Sequence, residues 1–450
     1  MLVFSTNYDD RPDTRTKRYI ERIEQIWLND EDSTEVVQRA WQFSNEGNIQ
    51  KLCRALEDMH NWGKEKYGHI PKQIQHHQEK LRKLKERVPN RNTINQIKKT
   101  EQELDDLLKH EELWWAQRGK AHWFLHGDKN TKYFHQKASQ RKRKNKINFI
   151  EDQQGRSWLD EENIQRIFLR YFEDIFTSSN PTNTHNVIDV VHNCINAHMS
   201  EILNRPFSAE EVYKAMQQLK STAALGPDGL NAGFYQRFWD IIGQDITDYV
   251  LSILNNEGNP ANINHTYIYL IPKHKQPKDH RDFRPIALCN VILKIVTKTI
   301  ANRIKVVLPS IISPQQSAFI PGRLIFDNTL LAFEVFHHIK HLKNKKKSVM
   351  GIKRDMAKAY DRIEWRFLQN TLLTMGFPHK LVKTIMLCVS TVSFSILVNG
   401  QPSNTLHPTR GIRQGDPLSP YLFILCADVL SILITKKQEE GLIQGIAIAA

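Results

Sequence analysis

Four groups of residues in this chain are of the right types and spacing to do chemistry. Asp355 sits among Lys353, Arg354 and Lys358, a carboxylate in a positive setting that would suit a divalent cation carrying phosphates. Upstream, a β-rich run (267–273) ends on Lys273, and a basic polar loop then closes on Phe283, Arg284 and Pro285. A strand, basic loop and strand can close over a triphosphate, with Arg284 as a fork-shaped donor. Downstream, 410–420 reads R-G-I-R-Q-G-D-P-L-S-P. There Gly411 and Gly415 let backbone approach a ligand closely, and Gln414 offers both a donor and an acceptor. Asp416 and Pro417 fit a helix N-cap and first position, so Asp416 is read as a cap and not a metal ligand. The fourth group, 113–146, carries ten Lys/Arg against a single acid, Asp128, interleaved with Trp114, Trp115, Trp123, Tyr133 and Phe134. Aromatic faces between positive charges are what base stacking and phosphate contact require. The candidate contacts are Arg118, Lys120, Lys129, Lys132, Arg141, Lys142, Arg143 and Lys144.

The elements that must position these groups can be read from periodicity. An apolar-leaning run, 349–352, leads into Asp355 and predicts a strand; a helical pattern (Ile363, Phe367, Leu368, Leu372) follows. A strand that ends on a carboxylate and turns into a helix holds that charge at a sheet edge, where ligands usually bind. The run 394–401 predicts a hairpin through Asn399-Gly400. A long apolar helix follows Asp416, running to about Lys437. Between the basic loop and Asp355, 293–308 predicts an amphipathic helix stopped by Pro309, and 328–340 a further helix. His337 and His341 share a face of it, but no acidic or cysteine partner lies in sequence reach to complete a metal site. Nearer the start, 1–60 is helical without an interpretable motif. The runs 74–88 and 94–108, joined by a Pro/Asn turn, predict a helical hairpin. Helical spacing in 157–176 predicts a core helix, 177–184 a linker, and Ser208 with Glu211 a capping box. The G-P-D-G at 226–229 is a tight turn.

Composition narrows the class. A chain of 450 residues can bury a large core and holds two or three domains. Its 63 Lys+Arg against 49 Asp+Glu leave a formal charge of +14, which points to a polyanionic partner. Five scattered cysteines without a C-x-x-C pair argue against a disulfide frame and a cysteine zinc site. The apolar run at 417–435 contains Asp428 and two prolines near its start, so it is read as a buried core helix. The expectation is an intracellular protein without a membrane span, in the nucleus or in a cytoplasmic ribonucleoprotein.

Taken together, R-D-M-A-K-A-Y-D-R-I-E-W at 354–365 and the 410–420 motif resemble motifs A and B of a reverse transcriptase, and are most similar to those of plant LINE-type non-LTR retrotransposons. The resemblance extends to L-I-P-K (270–273), F-R-P-I-A-L-C-N (283–290), Q-Q-S-A-F-I-P-G-R (315–323), G-P-D-G and G-D-K-N-T-K-Y-F-H (127–135). It implies an α+β fold, a right-hand polymerase with fingers over 205–345 and an incomplete palm over 346–450 without a thumb. These would follow a helical region (1–112) and a basic aromatic linker region (113–180). It implies that Asp355 is the first metal-binding aspartate, with the Met356 carbonyl on the same Mg²⁺, and that Tyr360 stacks under the incoming sugar and excludes a 2′-OH. Arg284 and Lys273 would hold the triphosphate; Gln414 and Gly415 would line the nucleotide and template site. The partners implied are an RNA template, a DNA primer and dNTPs, and the cofactor a pair of Mg²⁺ ions. Arg354 departs from the family, which more often has an apolar residue there.

The family's next element, a hairpin with paired aspartates, is expected beyond Ala450. The chain is therefore read as a fragment, cut from a polyprotein or a decayed copy, that does not polymerise alone and leaves Leu422, Leu425, Leu430 and Leu433 uncovered. The competing readings are a non-catalytic nucleic-acid-binding relic and, less well matched at the linker, a group II intron maturase-like polymerase. In either binding reading, affinity for RNA should fall steeply with salt. Neutralising Arg141, Lys142, Arg143 and Lys144 together should lower the slope of log K against log[salt] by about 3–4, measured by fluorescence anisotropy between 50 and about 200 mM salt.

Overall fold

The computed structural model describes residues 22–42, 47–119, 131–152, 154–182, 184–341 and 350–445. It is mixed helix and sheet with a helical N-terminal region. The run H-T-Y-I-Y-L-I-P forms the strand His265–Pro272, buried at every second residue, as a strand with one covered face must be. It pairs antiparallel with Phe283–Cys289, setting Ile268 opposite Ala287 and Pro272 opposite Phe283. On its other side it pairs parallel with Ser393–Val398, setting His265 opposite Ser393. That strand returns to Gln401–Pro402 through Asn399 and Gly400, whose φ angles are 50° and 89°, the hairpin geometry that Asn-Gly favours.

One face of this sheet is covered by the helix Glu161–Phe176, capped by Asp160. Ile164, Phe168 and Phe172 from the helix pack with Ile268, Leu270, Phe283, Phe394 and Ile396 from three strands. Phe168 meets Phe283 edge to face at 5.4 Å, the geometry aromatic quadrupoles prefer. A second, larger core surrounds the long helix Val291–Ile311 and includes the helices Trp239–Asn255 and His379–Ser390. The N-terminal helices Ser33–Gln42 and Asn48–Tyr67 belong to the same core through Val37, Trp41, Leu52 and Met59. Asp245 fastens them: it accepts hydrogen bonds from Trp41 Nε1 (3.0 Å) and Lys51 Nζ (2.8 Å). The helical hairpin is present as Ile70–Lys85 and Arg91–Gly119, with Lys85 ion-paired to Glu101 at 2.9 Å. The capping box at Ser208 and Glu211 forms as the sequence predicts.

Several expectations are corrected. Among the described residues no strand precedes Asp355: residues 350–355 have no regular structure and are exposed, and position 349 of the predicted run lies outside the described residues. A strand exists only where a neighbour takes its backbone groups, and among the described residues nothing pairs with this segment. Pro309 does not stop its helix, which runs on to Ile311. The proline gives up one N–H bond in the last turn, and the carbonyls from there on are held by Arg323, which donates to Pro309, Ile312, Ser313 and Gln316 oxygens at 2.6–3.0 Å. The last long helix begins at Ser419, not at Pro417; Asp416 instead accepts the Leu418 N–H at 2.8 Å. Leu422 and Leu425 are buried against the large core, while Leu430 is exposed and Leu433 partly buried. Ser419–Glu439 is long and apolar enough to cross a membrane by length and composition. Its first half, however, lies in the protein core, with Asp428 accepting the Ser313 N–H and hydroxyl at 3.1 and 3.0 Å. The helix Ile325–His341 has no buried residue. The His337 and His341 rings lie tilted against one another with centroids 4.2 Å apart, and no group of metal-binding side chains forms among the described residues.

The G-P-D-G turn does more than reverse the chain. Gly226 lies against the backbone of Cys289 and Asn290, leaving no room for a Cβ, which would approach them to 2.7 Å. Asn290 Oδ1 accepts the Asp228 N–H at 3.0 Å, while its Nδ2 donates to the Ile263 carbonyl at 3.0 Å. Burial pushes the Asp228 carboxyl up from the usual 3.8 to about 6, with backbone N–H groups and Lys294 pulling the other way. A carboxyl raised in the folded state holds its proton there more tightly than in the unfolded chain. Stability is therefore fullest below about pH 4 on this account and is lost as pH rises toward about 6. Asp228→Asn should flatten the urea midpoint over that window and raise it at pH 7.

Candidate functional site

Tyr360, Asp361 and Arg362 form a short 3₁₀ turn ahead of the helix Trp365–Thr374. This turn is laddered to the 410–420 motif by backbone bonds. Gly411 N–H donates to the Ile363 carbonyl at 2.7 Å, and Ile412 N–H to the Tyr360 carbonyl at 2.9 Å. Trp365 Nε1 donates to the Gly411 carbonyl at 2.7 Å. Gly411 has φ 93°, and a Cβ there would meet the Asp361 carbonyl at 2.8 Å, so glycine is required twice over. Glu364 and Arg410 add an ion pair at 3.2 Å. Arg410 Nε also donates to the Ile175 carbonyl at 2.7 Å, and Glu364 accepts from Ser178 and Ser179. The stretch read as a free linker is thus tethered at its start.

Past this ladder the loop reaches the open edge of the sheet, where Ala287 N–H donates to the Gln414 carbonyl at 3.1 Å. Gly415, with φ 107°, passes close to the Ala287 carbonyl. Arg413 turns inward: it pairs with Asp416 at 2.9 Å, both fully buried, and donates to Asn264 Oδ1 and to the Cys388 carbonyl. A buried pair is tolerable only when every donor and acceptor is used, and here nearly all are. The Gln414 side chain donates from Nε2 to Asp361 Oδ1 at 3.1 Å. Burial pushes the Asp361 carboxyl up, against the pull of Lys358, Gln414 and Arg362.

A basic and aromatic cluster borders this point. Lys358, with φ 57°, holds its ammonium 5.5 Å from the Tyr171 ring centroid, and His280 lies 4.1 Å from that ring on its own centroid. Burial pulls both Lys358 and His280 down from their ordinary values. Lys273 Nζ donates to the Arg281 carbonyl at 2.7 Å. Tyr360 stacks nearly parallel on Phe423, 4.9 Å between centroids.

The candidate residues are therefore not all brought together. Gln414, Gly415 and Tyr360 share one junction with Asp361, which sequence reading passed over. Its place between Tyr360 and Arg362, six residues after Asp355, gave no sign of a partner 53 residues away. Arg284 is exposed on the uncovered face of the same sheet, opposite Ile271. Asp355 and Met356 are exposed, and Asp355 makes no hydrogen bond or ion pair with the described residues. Among the nucleic-acid candidates, Arg118 is engaged, ion-paired to Glu24 at 2.6 Å and stacked 3.4 Å over Trp114. Lys142, Arg143 and Lys144 are exposed and Arg141 half-buried at the end of the helix Thr131–Asn145. Lys120 and Lys129 lie outside the described residues, as does the side chain of Lys132.

Nor do these residues fit a pair of divalent ions on their own. Such a site needs several oxygen ligands beyond water. The next acids along the chain, Asp361 and Glu364, are engaged by Gln414 and by Arg410.

Comparison with known proteins agrees with the motifs. Residues 271–446 match the family described as reverse transcriptase (RNA-dependent DNA polymerase), which implies a palm and fingers fold there. The chain is 26% identical over 312 residues to the transposon TX1 uncharacterized 149 kDa protein of Xenopus laevis, covering 69% of this chain and 24% of that protein. It is 30% identical over 241 residues to the Pol polyprotein of a type-1 R2 retrotransposable element of Nasonia vitripennis, covering 54% and 22%. A mitochondrial protein of Arabidopsis thaliana, uncharacterized, is 55% identical over 53 residues, 12% of this chain and 43% of its own length. The chain spans about a quarter of the length of the two retrotransposon relatives. Over residues 271–446, then, the chain carries a reverse transcriptase domain of the non-LTR retrotransposon type.

Proposed function

We propose that this domain binds a deoxynucleoside triphosphate over an RNA template and a DNA primer, as part of RNA-directed DNA synthesis. The observation that carries the reading is the junction itself: the 354–365 motif, the 410–420 motif and the strand Phe283–Cys289 meet through the Gly411, Ile412 and Gln414 backbone bonds. Three segments far apart in sequence, each of a type suited to nucleotide contact, converge at one sheet edge. In this reading Tyr360, held flat by Phe423, bears on the sugar and disfavours a 2′-OH. Gln414 and Gly415 border the nucleotide, Arg284 reaches the triphosphate from the open sheet face, and Lys273 does so on leaving the Arg281 carbonyl. Residues 205–345 act as fingers and those from 346 as palm. Arg141, Lys142, Arg143 and Lys144 contact the nucleic-acid backbone, and the short, close match to the Arabidopsis protein is in keeping with a plant origin.

The reaction is attack of the primer 3′-OH on the α-phosphorus with loss of pyrophosphate. Mg²⁺ would supply charge stabilisation to it, with Asp355 and the Met356 carbonyl as this chain's contributors. Because they do not complete a two-ion site, the side chains described here act by binding and orienting the nucleotide. On that ground these residues bind the hybrid without extending it. The test is primer extension on an RNA template with Mg²⁺, alongside filter binding of the same hybrid. The expected result is retained, salt-sensitive binding in the wild type and in Asp355→Asn, with no extension by either. Extension by the wild type that Asp355→Asn abolishes would show that these residues suffice for the chemistry; failure to bind the hybrid would remove the reading altogether.

A further inference from the structure

We propose that Asp361 is a positioning residue that fixes the Gln414 carboxamide in one of its two flip states, leaving the Gln414 carbonyl oxygen and its second N–H for the nucleotide. The inference rests on the reading of Gln414 as a nucleotide neighbour and goes beyond it, since it concerns what decides which groups Gln414 offers.

An ionised carboxylate accepts and cannot donate, so the amide group facing Asp361 Oδ1 at 3.1 Å must be the NH₂. The flip state is then set by the partner. Gln414 is half-buried, and its Oε1 makes no hydrogen bond with the described residues.

Both ends of this bond are pinned by backbone. The Gln414 carbonyl accepts from Ala287, the Asp361 N–H donates to the Lys358 carbonyl at 3.1 Å, and Ile412 binds Tyr360. Gly411 lies directly under the Asp361 carbonyl. Neither side chain can find the other by loop adjustment, or avoid it.

Asp361 is costly to the fold. It is 2% exposed, and Oδ2 has no hydrogen-bond partner. The charged and titratable groups around it are Lys358 and Arg362 on its own segment and Tyr171 from the covering helix, and none of them forms a hydrogen bond or ion pair with it. A buried carboxylate with an idle oxygen is a poor structural element, since an amide or an apolar side chain of that size would serve packing better. Residues kept against stability are commonly kept for function.

The experiment uses the full chain with an RNA template and a dideoxy-terminated DNA primer, and measures affinity for a fluorescent deoxynucleoside triphosphate together with the melting temperature. Gln414→Leu and Asp361→Leu should each weaken nucleotide binding about tenfold, the scale of one lost hydrogen bond. The double variant should be no worse than either, because the two act as a unit. Asp361→Asn, whose carboxamide can turn either Oδ1 or Nδ2 toward Gln414 and so no longer fixes its flip state, should weaken nucleotide binding about threefold and melt at the same or a higher temperature. If Asp361→Leu does not fold, the Asp361→Asn and Gln414→Leu arms decide the matter. Additive losses in the double variant, or an Asp361→Asn protein that melts lower and loses binding in parallel, would reduce Asp361 to a structural role. Weakening by Gln414→Leu but not by Asp361→Leu would overturn this inference alone; no effect from Gln414→Leu would overturn the nucleotide reading with it.

Discussion

The structure depends on a short run of backbone bonds between the 3₁₀ turn at Tyr360 and the Gly411–Ile412 dipeptide. They let two segments approach until one residue can have no side chain at all. Around that contact other ties accumulate: the Trp365 indole on the Gly411 carbonyl, the Glu364–Arg410 pair, and Arg410 reaching the end of the helix that covers the sheet. Backbone bonds carry no sequence preference beyond excluding proline, so the specificity of the junction comes from steric exclusion at Gly411 and from the charges that flank it. The side chains meant for a ligand are thereby relieved of holding the site together.

How much of this was legible depends on the range of the interaction. Elements fixed by near neighbours were readable: the alternating strand at His265–Pro272, the Asn399-Gly400 turn, the Ser208 capping box and the helical hairpin all follow from signals within a few residues. The motif strings also identified the family that residues 271–446 match. What depended on distant partners was not readable. Arg118 looked free in sequence and is bound to Glu24, 94 residues earlier. The helices before residue 70 carried no interpretable motif and prove to belong to the large core. The segment before Asp355 has a strand-like composition, but a strand is a property of a pair, and its neighbours do not supply one.

Charge near the site is arranged more by burial than by pairing. Lys358 has an aromatic face beside it and the Asp361 carboxylate within electrostatic reach, yet forms an ion pair with neither. His280 is held toward its neutral form by burial despite the nearby Asp279. In a partly dry setting an unpaired cation such as Lys358 responds strongly to an incoming polyanion, whereas the fully paired Arg413 and Asp416 are spent on the scaffold. The chain thus separates the charges that fix its shape from those left to answer a ligand.

The parallel pairing of His265–Pro272 with Ser393–Val398 has a consequence for synthesis on the ribosome. His265 and Ser393 are 128 residues apart, and at about 5–20 residues per second the earlier strand waits roughly 6–25 s for its second neighbour. During that interval one of its edges is open and the aromatic face of the Glu161–Phe176 helix has only part of its surface to cover. Long-range strand pairing is slow and leaves hydrophobic edges exposed. The nascent chain should therefore be most dependent on chaperones while the segment between these strands is still emerging.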